Sequence, residues 1–216
     1  MAALVLSVAA LSALSGVSRA SHPAGAAPPA IPAAHRGEAY LGGGCFWCME
    51  AAFERLDGVG DVTSGYAGGH VAGPSYEAVC TGTTGHAEVV RVPFDRRKWS
   101  YGDVLRAFLA IHDPTTRDRQ GADVGAQYRS IVLTRSAEEA REANRVLAEA
   151  KPAFPAPITT EVVSLTRFWP AEAYHQDYFR RNPEAPYCVS VVAPKVRKLE
   201  QAYKSRLKPG AAAPGQ

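Results

Sequence analysis

Apolar residues in the first part of the chain recur at spacings that change from strand-like to helix-like. Residues 38–43 form a short apolar run that leads into three consecutive glycines, and residues 46–56 then carry apolar side chains at helical spacing until Gly58. This pattern predicts a strand that turns sharply into a helix.

The same criteria predict a regular series of elements further along the chain. Alternating or apolar runs predict strands over 59–67, 87–94, 128–133 and 158–165, and helical periodicity predicts helices over 100–112 and 136–150. The resulting order is β-α-β-β-α-β followed by α-β. We therefore predict an α+β protein with a split βαβ, ferredoxin-like core: an antiparallel or mixed sheet, helices packed on it, and additions at the C-terminal end.

The composition is that of an ordinary globular protein and excludes several classes of function. The chain has 216 residues and a net charge of +3, and beyond residue 37 it carries 22 Lys and Arg against 21 Asp and Glu. This near-neutral body gives no indication of nucleic-acid binding. Four cysteines are too few for a disulfide scaffold, so a functional thiol becomes the leading possibility.

Cys45 lies where the first predicted strand ends and the first helix begins. The unpaired N–H groups and the positive dipole end of a helix stabilise a thiolate at this position, which makes Cys45 a candidate nucleophile. Cys48 follows at i+3, about 5 Å away and within range of a disulfide. A Cys-x-x-Cys motif at a helix start indicates redox chemistry, and the alternative is a pair of buried structural cysteines.

Glu88 has two interpretations. On the predicted strand 87–94 it shares a face with Val90 and Val92, which suits a buried carboxylic acid with a raised pKa. From the pattern alone, a surface glutamate on an edge strand is the more common arrangement.

Gly44-Cys45-Phe46-Trp47 resembles the active-site signature of the A-type peptide methionine sulfoxide reductases. Further matches follow in family order: Gly65-Tyr66-Ala67-Gly68-Gly69, Tyr76-Glu77-Ala78-Val79-Cys80, Thr84-Gly85-His86-Ala87-Glu88, His112-Asp113-Pro114-Thr115, Gln120-Gly121-Ala122-Asp123-Val124-Gly125, Gln127-Tyr128-Arg129-Ser130 and Ala171-Glu172-x-Tyr174-His175-Gln176. Any one of these motifs is short, but the ordered set spans residues 42–188.

The resemblance implies an enzyme that reduces methionine S-sulfoxide, in proteins and free, without a metal or organic cofactor. It implies that Cys45 attacks the sulfoxide sulfur and becomes a sulfenic acid, while Glu88 protonates the oxygen. It also implies that Tyr76 and Tyr128 donate hydrogen bonds to the sulfoxide oxygen. Phe46 and Trp47 would form the surface that binds the methyl group, and Asp123 would line the same pocket. Without the resemblance, the tyrosines would be packing residues, Phe46 and Trp47 core residues, and Asp123 a turn residue.

A second thiol must then form a disulfide with Cys45, and two cysteines are candidates. Cys48 is favoured by proximity. Cys188 matches a recycling position of the family, but a predicted apolar strand over 189–192 and a helix follow it, in place of the Gly-rich tail common among relatives. We rank Cys48 first, with onward exchange to Cys188 as the alternative, and expect a thioredoxin-type dithiol to reduce the disulfide. We expect Cys80 to be a structural thiol.

Other classes of site and function remain as alternatives or are disfavoured. His86, His112 and His175 lack metal-ligand spacing, so we expect no metal. The alternatives are a general Cys-x-x-Cys thiol-disulfide oxidoreductase and a non-catalytic binding module with a structural disulfide. The expected partners are oxidised proteins or peptides and the reductant, and we expect a monomer.

The two ends of the chain differ from its middle. Residues 1–17 are uncharged and apolar, and Ser18-Arg19-Ala20 is a small-x-small run, so we expect residues 1–20 to be a signal peptide and the protein to be secreted or periplasmic. No Lys or Arg precedes the apolar run, which leaves a membrane-anchored or a cytoplasmic protein as alternatives. We expect a flexible linker over 21–37, a single catalytic domain over 38–208 and a disordered tail over 209–216.

Overall fold

The computed structural model describes residues 31–211, and its strands form one large sheet and one small hairpin. In chain order the strands are β1 Arg36–Gly43, β2 Thr63–Ala67, β3 Ala87–Asp95, β4 Arg119–Gln120, β5 Asp123–Val124, β6 Ser130–Thr134, β7 Glu161–Ser164 and β8 Phe168–Pro170. The large sheet has the order β7-β6-β1-β3-β2-β8, and β4 pairs with β5. All neighbours in the large sheet are antiparallel except β6 and β7.

The helices vary in length from one turn to about four. They are α1 Phe46–Phe53, α2 Tyr76–Cys80, α3 Tyr101–Ile111, α4 Ala137–Ala150, α5 Tyr178–Arg181 and α6 Ala193–Ala202, and a π-helical turn covers Cys188–Val192. Ser100 caps α3 by accepting a hydrogen bond from the Asp103 N–H, while the Asp103 carboxylate accepts one from the Ser100 N–H. This capping box satisfies two donors that would otherwise be unpaired at the helix start.

The predicted split βαβ core is confirmed. The units β1-α1-β2 and β3-α3-β6 interleave, so that four of the strands lie in the order β6-β1-β3-β2. The predicted α-β addition is α4 followed by β7, which extends one edge in parallel with β6, and β8 extends the other edge beside β2.

Both faces of the sheet are covered by apolar side chains. Val90 and Val92 of β3 belong to the main core with α1, α3 and α6, whereas Ala87 and Val89 belong to a smaller cluster on the opposite face. The period-2 pattern therefore assigned the two faces of this strand correctly. Glu88 lies on the face that packs against the helices.

The strands predicted over 59–67, 128–133 and 158–165 have the narrower or shifted bounds given above, and two other parts of the chain differ more from the prediction. Arg36 and Gly37, which were expected to belong to a flexible linker over 21–37, pair with Asp95 and Phe94 and so continue β1 along β3. Residues 21–30 of the expected linker lie outside the described residues. The expected strand over 189–192 is wrong. Cys188 and Val192 are buried while Val189 is exposed, which is the four-residue spacing of a helical turn and not the alternation of a strand.

The expected signal peptide lies outside the described residues, as do residues 212–216 of the expected tail. Within residues 31–211 no helix combines the length and the apolar character needed to cross a bilayer.

Candidate active site

Cys45 lies at the turn from β1 to α1, as the sequence predicts, and is the N-cap residue of α1. The preceding Gly44 has a φ of +96°, and a Cβ at this position would lie 2.6 Å from the Gln120 side chain. Glycine is therefore required both by the backbone conformation and by the close approach of Gln120. The turn places the Cys45 thiol in the core, where the residue is only 6% exposed.

Burial, not the helix dipole, dominates the ionisation of Cys45. Loss of solvation raises the pKa of the Cys45 thiol well above its usual value. The first N–H of α1 is not available to the sulfur either, because the Phe46 N–H donates to Glu88 Oε2 at 2.9 Å. The Trp47 N–H in the first turn of α1 does favour the Cys45 thiolate, as the sequence predicts, but in the resting protein burial outweighs this contribution.

Glu88 faces the start of α1 from the middle of the sheet. Its residue exposure is 2%, and burial raises the pKa of its carboxyl well above the usual range, with the nearby Cys45 adding to the effect. The alternative of a surface glutamate on an edge strand is wrong. A carboxyl kept protonated beside a buried thiol is suited to donating a proton.

Tyr76 and Tyr128 lie near Glu88 and come from two different short helical segments. Tyr76 begins α2, where its N–H donates to Glu172 Oε1 at 2.9 Å, and Tyr128 ends the 3₁₀ turn Ala126–Tyr128. Burial raises the pKa of both phenols, and Glu88 is close enough to contribute to both shifts. Both hydroxyls therefore remain protonated and able to donate hydrogen bonds beside the acid.

Asp123 is held at the site by a residue that sequence reasoning missed. Its Oδ2 accepts a hydrogen bond from the Tyr187 hydroxyl at 2.8 Å. Burial raises the pKa of Tyr187, and Cys45 is the next largest influence, so the phenol lies against the thiol. The position of Tyr187 directly before Cys188 was the available signal for its role.

Aromatic rings form a wall beside Cys45. Tyr178 stacks on Trp47 with ring centroids 3.7 Å apart and planes 7° from parallel. The Trp47 Nε1–H donates to His175 Nδ1 at 3.1 Å, and the His175 ring lies 5.0 Å from the Phe46 ring and 4.5 Å from the Tyr76 ring. The predicted apolar surface of Phe46 and Trp47 is thus joined by His175 and Tyr178, which the sequence analysis did not assign to it.

The histidines have structural partners. His86 Nε2 hydrogen-bonds the Val71 carbonyl, and His112 is so buried that its pKa is lowered to about 4. Among residues 31–211, no three His, Cys, Asp or Glu side chains are arranged to hold a metal ion.

The four cysteines are free thiols in different surroundings. Cys48 is fully buried one turn into α1, where its N–H donates to the Cys45 carbonyl, and a hydrogen bond with the Cys45 thiol lowers its pKa. Cys188 is buried in the π-helical turn, and burial raises its pKa. Cys80 is exposed and contacts the Tyr76 hydroxyl, and the structural role expected for it stays a prediction.

The arrangement combines a buried thiol, a protonated carboxylic acid, two phenol donors and an apolar aromatic wall. A thiol can attack an electrophilic centre here while a proton moves to a polar atom next to it. The aromatic wall favours a substrate that carries a small apolar group beside that centre.

Known proteins similar to this chain share one description. The sequence profile of a family described as "Peptide methionine sulfoxide reductase" matches residues 37–207. The "Peptide methionine sulfoxide reductase MsrA" of Thermus thermophilus is 57% identical over 171 residues, which cover 79% of this chain and 97% of that protein. The protein of the same name from Halobacterium salinarum is 55% identical over 170 residues, which cover 78% and 96%.

Two solved structures are also similar. The reduced form of Mxr1 from Saccharomyces cerevisiae has a TM-score of 0.68 and 32% identity, with 74% of this chain and 92% of that chain covered. Methionine sulfoxide reductase A of Corynebacterium diphtheriae has a TM-score of 0.65 and 33% identity, with 69% and 76% covered.

Proposed function

The chain belongs to the A-type peptide methionine sulfoxide reductase family, and from this premise we propose how its own residues reduce methionine sulfoxide. The observation that carries the proposal is the burial of Glu88 against the start of α1, beside Cys45. A polar sulfoxide oxygen would meet the acid there, while its methyl group would meet Phe46 and Trp47.

The first half of the reaction transfers oxygen from substrate to enzyme. The sulfur of Cys45 attacks the sulfoxide sulfur, and Glu88 protonates the oxygen while Tyr76 and Tyr128 donate hydrogen bonds to it. The S–S bond of this adduct then breaks as the hydroxyl passes from the substrate sulfur to the Cys45 sulfur, so that methionine leaves with its sulfur reduced and Cys45 becomes a sulfenic acid. The proton from the Cys45 thiol restores Glu88. We propose that the fixed positions of acid and aromatic wall select the S-epimer, because inversion at sulfur exchanges the places of oxygen and methyl.

The second half removes the oxygen as water. The Cys48 sulfur attacks the Cys45 sulfenic acid, an S–S bond replaces the S–O bond, and the hydroxyl leaves with one proton. Cys48 is favoured over Cys188 because it lies within the same helical turn, whereas Cys188 is held in a buried turn of its own. An external thioredoxin-type dithiol then supplies two electrons and returns both thiols.

One assay tests the activity and its alternatives together. Each epimer of methionine sulfoxide is supplied with a dithiol, and methionine is measured for the wild type, Cys45→Ser and Glu88→Gln. We expect methionine from the S-epimer only, none from Cys45→Ser, and a strong requirement for Glu88. Turnover independent of Glu88 would indicate a general thiol-disulfide exchanger, and an inactive wild type would leave only a binding module.

The order of the disulfides is tested without reductant. One equivalent of substrate is added, free thiols are blocked, and the disulfide is located by peptide mass. We expect a Cys45–Cys48 disulfide in the wild type. A Cys45–Cys188 crosslink in the wild type, with unimpaired multiple turnover of Cys48→Ser, would overturn the order.

A further inference from the structure

Lys195 has a buried ammonium group with no partner. It lies in the first turn of α6, and its Nζ is buried without a hydrogen bond or ion pair to any residue in the described part of the chain. Removing a charge from water without pairing it costs free energy, so an unpaired buried ammonium is uncommon unless it stabilises another group. The mechanism above does not use it.

The ammonium lies against the turn that carries Cys45. A Cβ on Gly44 would be 3.5 Å from Lys195 Nζ, which places the charge beside the residue that precedes the nucleophile. Its helix, α6, packs on α1 and α3. The ammonium is thus brought by the C-terminal segment to the side of the Cys45–Cys48 pair.

The ionisable groups around this charge belong to several elements. Four groups influence the pKa of Cys48. They are Cys45 at the N-cap of α1, Lys195 on α6, Asp123 on β5 and Tyr187 before the π-helical turn. Lys195 also affects His112, whose pKa is further influenced by Lys198 and Asp113. His112 stays neutral because it is buried. Asp123 opposes ionisation of Cys48 and already accepts a hydrogen bond from Tyr187.

We propose that Lys195 is a positioning residue for the recycling step: its unpaired ammonium holds Cys48 as the thiolate that attacks the Cys45 sulfenic acid. The inference rests on the proposed function, in which Cys48 is the first thiol to react. The reaction consumes the Cys48 thiolate, the sulfenic acid and one proton, and it yields the Cys45–Cys48 disulfide and water. The Cys48 sulfur is oxidised, and the Cys45 sulfur is reduced from the sulfenic level.

The timing of the reaction explains why a fixed charge is needed. In the resting protein a hydrogen bond with the Cys45 thiol is the largest influence that lowers the pKa of Cys48. Oxidation of Cys45 consumes that S–H group before Cys48 has to react. Lys195 is held beside this turn by α6 and not by the Cys45 thiol, so its ammonium can still favour the thiolate at the moment of attack.

The test separates the two halves of the reaction in a single turnover without reductant. Methionine release reports the first half, and the loss of blockable thiols together with the mapped disulfide reports the second. The variants are Lys195→Met and Lys195→Gln, which remove the charge, and Lys195→Arg, which keeps it. Lys198→Met is the matched control, because it removes a charge from an exposed position on the same helix.

We expect disulfide formation at pH 7 to be about three- to tenfold slower in Lys195→Met and Lys195→Gln. One pKa unit changes the thiolate fraction tenfold, and the greater nucleophilicity of a more basic thiolate offsets part of the loss. Their pH–rate profiles should shift to higher pH, so that the difference from wild type disappears in alkaline solution. Methionine release should be unchanged, and Lys195→Arg and Lys198→Met should match the wild type.

Disulfide formation at the wild-type rate and with the wild-type pH profile in both neutral variants would overturn the role of Lys195. An equal slowing of methionine release and disulfide formation would overturn it as well, since it would indicate a general loss of structure. A Cys45–Cys188 disulfide formed at the wild-type rate in Cys48→Ser would instead show that the proposed recycling order is wrong. An absence of methionine from the wild type would refute the proposed function.

Discussion

Glu88 and Cys45 are both buried, and burial disfavours the charged form of each. The resting site therefore holds a thiol beside a carboxylic acid, and not a thiolate beside a carboxylate. Such a pair avoids two buried negative charges in contact. It also keeps a proton at the place where a sulfoxide oxygen requires one.

Glu88→Gln should slow methionine formation by about 10²–10⁴-fold, because an amide of the same size cannot deliver a proton. The wild-type rate of the chemical step should fall as pH rises through the raised pKa of Glu88, since only the protonated carboxyl acts as the acid. The variant should lack this decrease. Single-turnover kinetics across a pH series measures both effects.

The control for this substitution is Glu77→Gln, which changes an exposed glutamate on α2. It should react like the wild type. Both variants should be alkylated at Cys45 as the wild type is. A Glu88→Gln rate within about threefold of wild type would remove Glu88 from the acid role, because a misplaced carboxyl contributes little.

At the scale of elements, the junction of β1 and α1 places the nucleophile. The strand is central and pairs on both sides with β3 and β6, so the end of the strand is held firmly. The turn that follows depends on Gly44, whose positive φ and contact with Gln120 leave no room for a side chain.

Gly44→Ala should destabilise the protein and displace Cys45. The left-handed backbone alone costs about 1–2 kcal/mol for a residue with a Cβ, and the overlap with Gln120 adds to this cost. Gly82→Ala is the matched control, because Gly82 also has a positive φ of +74° but a Cβ there would meet nothing within 4 Å.

Denaturant unfolding of both variants gives the two free energies, and methionine formation gives the effect on the site. Gly44→Ala should lose more stability than Gly82→Ala and should lose most of its activity. Equal losses of stability together with full activity of Gly44→Ala would contradict the assigned role of the turn.

At the scale of the whole molecule, the helical segments after β8 pack against α1. Glu50 of α1 is 2% exposed and faces backbone N–H groups of Asp177 and Tyr178, at the start of α5. Burial raises the pKa of Glu50 to about 8. The stability of the contact between α1 and the C-terminal segments therefore depends on pH through this buried acid.

The free energy of unfolding should contain a contribution from Glu50 that decreases as pH rises from about 4.5 to about 8. In this window the unfolded chain has released the proton while the folded protein retains it, so rising pH favours unfolding, by about 5 kcal/mol at most. Glu50→Gln should remove this dependence, so its stability relative to wild type should increase with pH and level off above about 8.

Urea unfolding at several pH values measures this difference. Glu184→Gln, at an exposed position, should give a curve parallel to that of the wild type. The buried His112, with its pKa of about 4, contributes in the opposite sense between pH 4 and 6.5, and it does so equally in every variant. A constant difference between Glu50→Gln and wild type across the pH range would contradict the assignment.

We propose that residues 1–20 direct export and are removed, so that the protein is secreted or periplasmic. The motif-bearing body begins near residue 37, and the chemistry described above uses no residue before it. N-terminal sequencing of the protein from its native host should begin shortly after Ala20. Intact Met1 on soluble protein in a cytoplasmic fraction would contradict this proposal.

Local patterns in the sequence were sufficient for the elements that carry the reaction. The spacing of apolar residues located β1, α1 and β3, because a strand or helix buries one face at a fixed period. The position of Cys45 between glycines and an apolar helix placed it at the helix start. The alternation along β3 placed Glu88 on the same face as Val90 and Val92.

Only the tertiary structure decided what these residues experience. The pKa of Cys45 depends on how completely the fold excludes water from the thiol. The sequence of residues 42–48 alone does not determine this exclusion. Tyr187 and Lys195 reach the site from more than 130 residues away, where a π-helical turn replaces the strand that the alternating valines predicted. Periodicity reflects hydrogen bonds and burial within a few residues, whereas desolvation and buried charge depend on every segment that packs around the site.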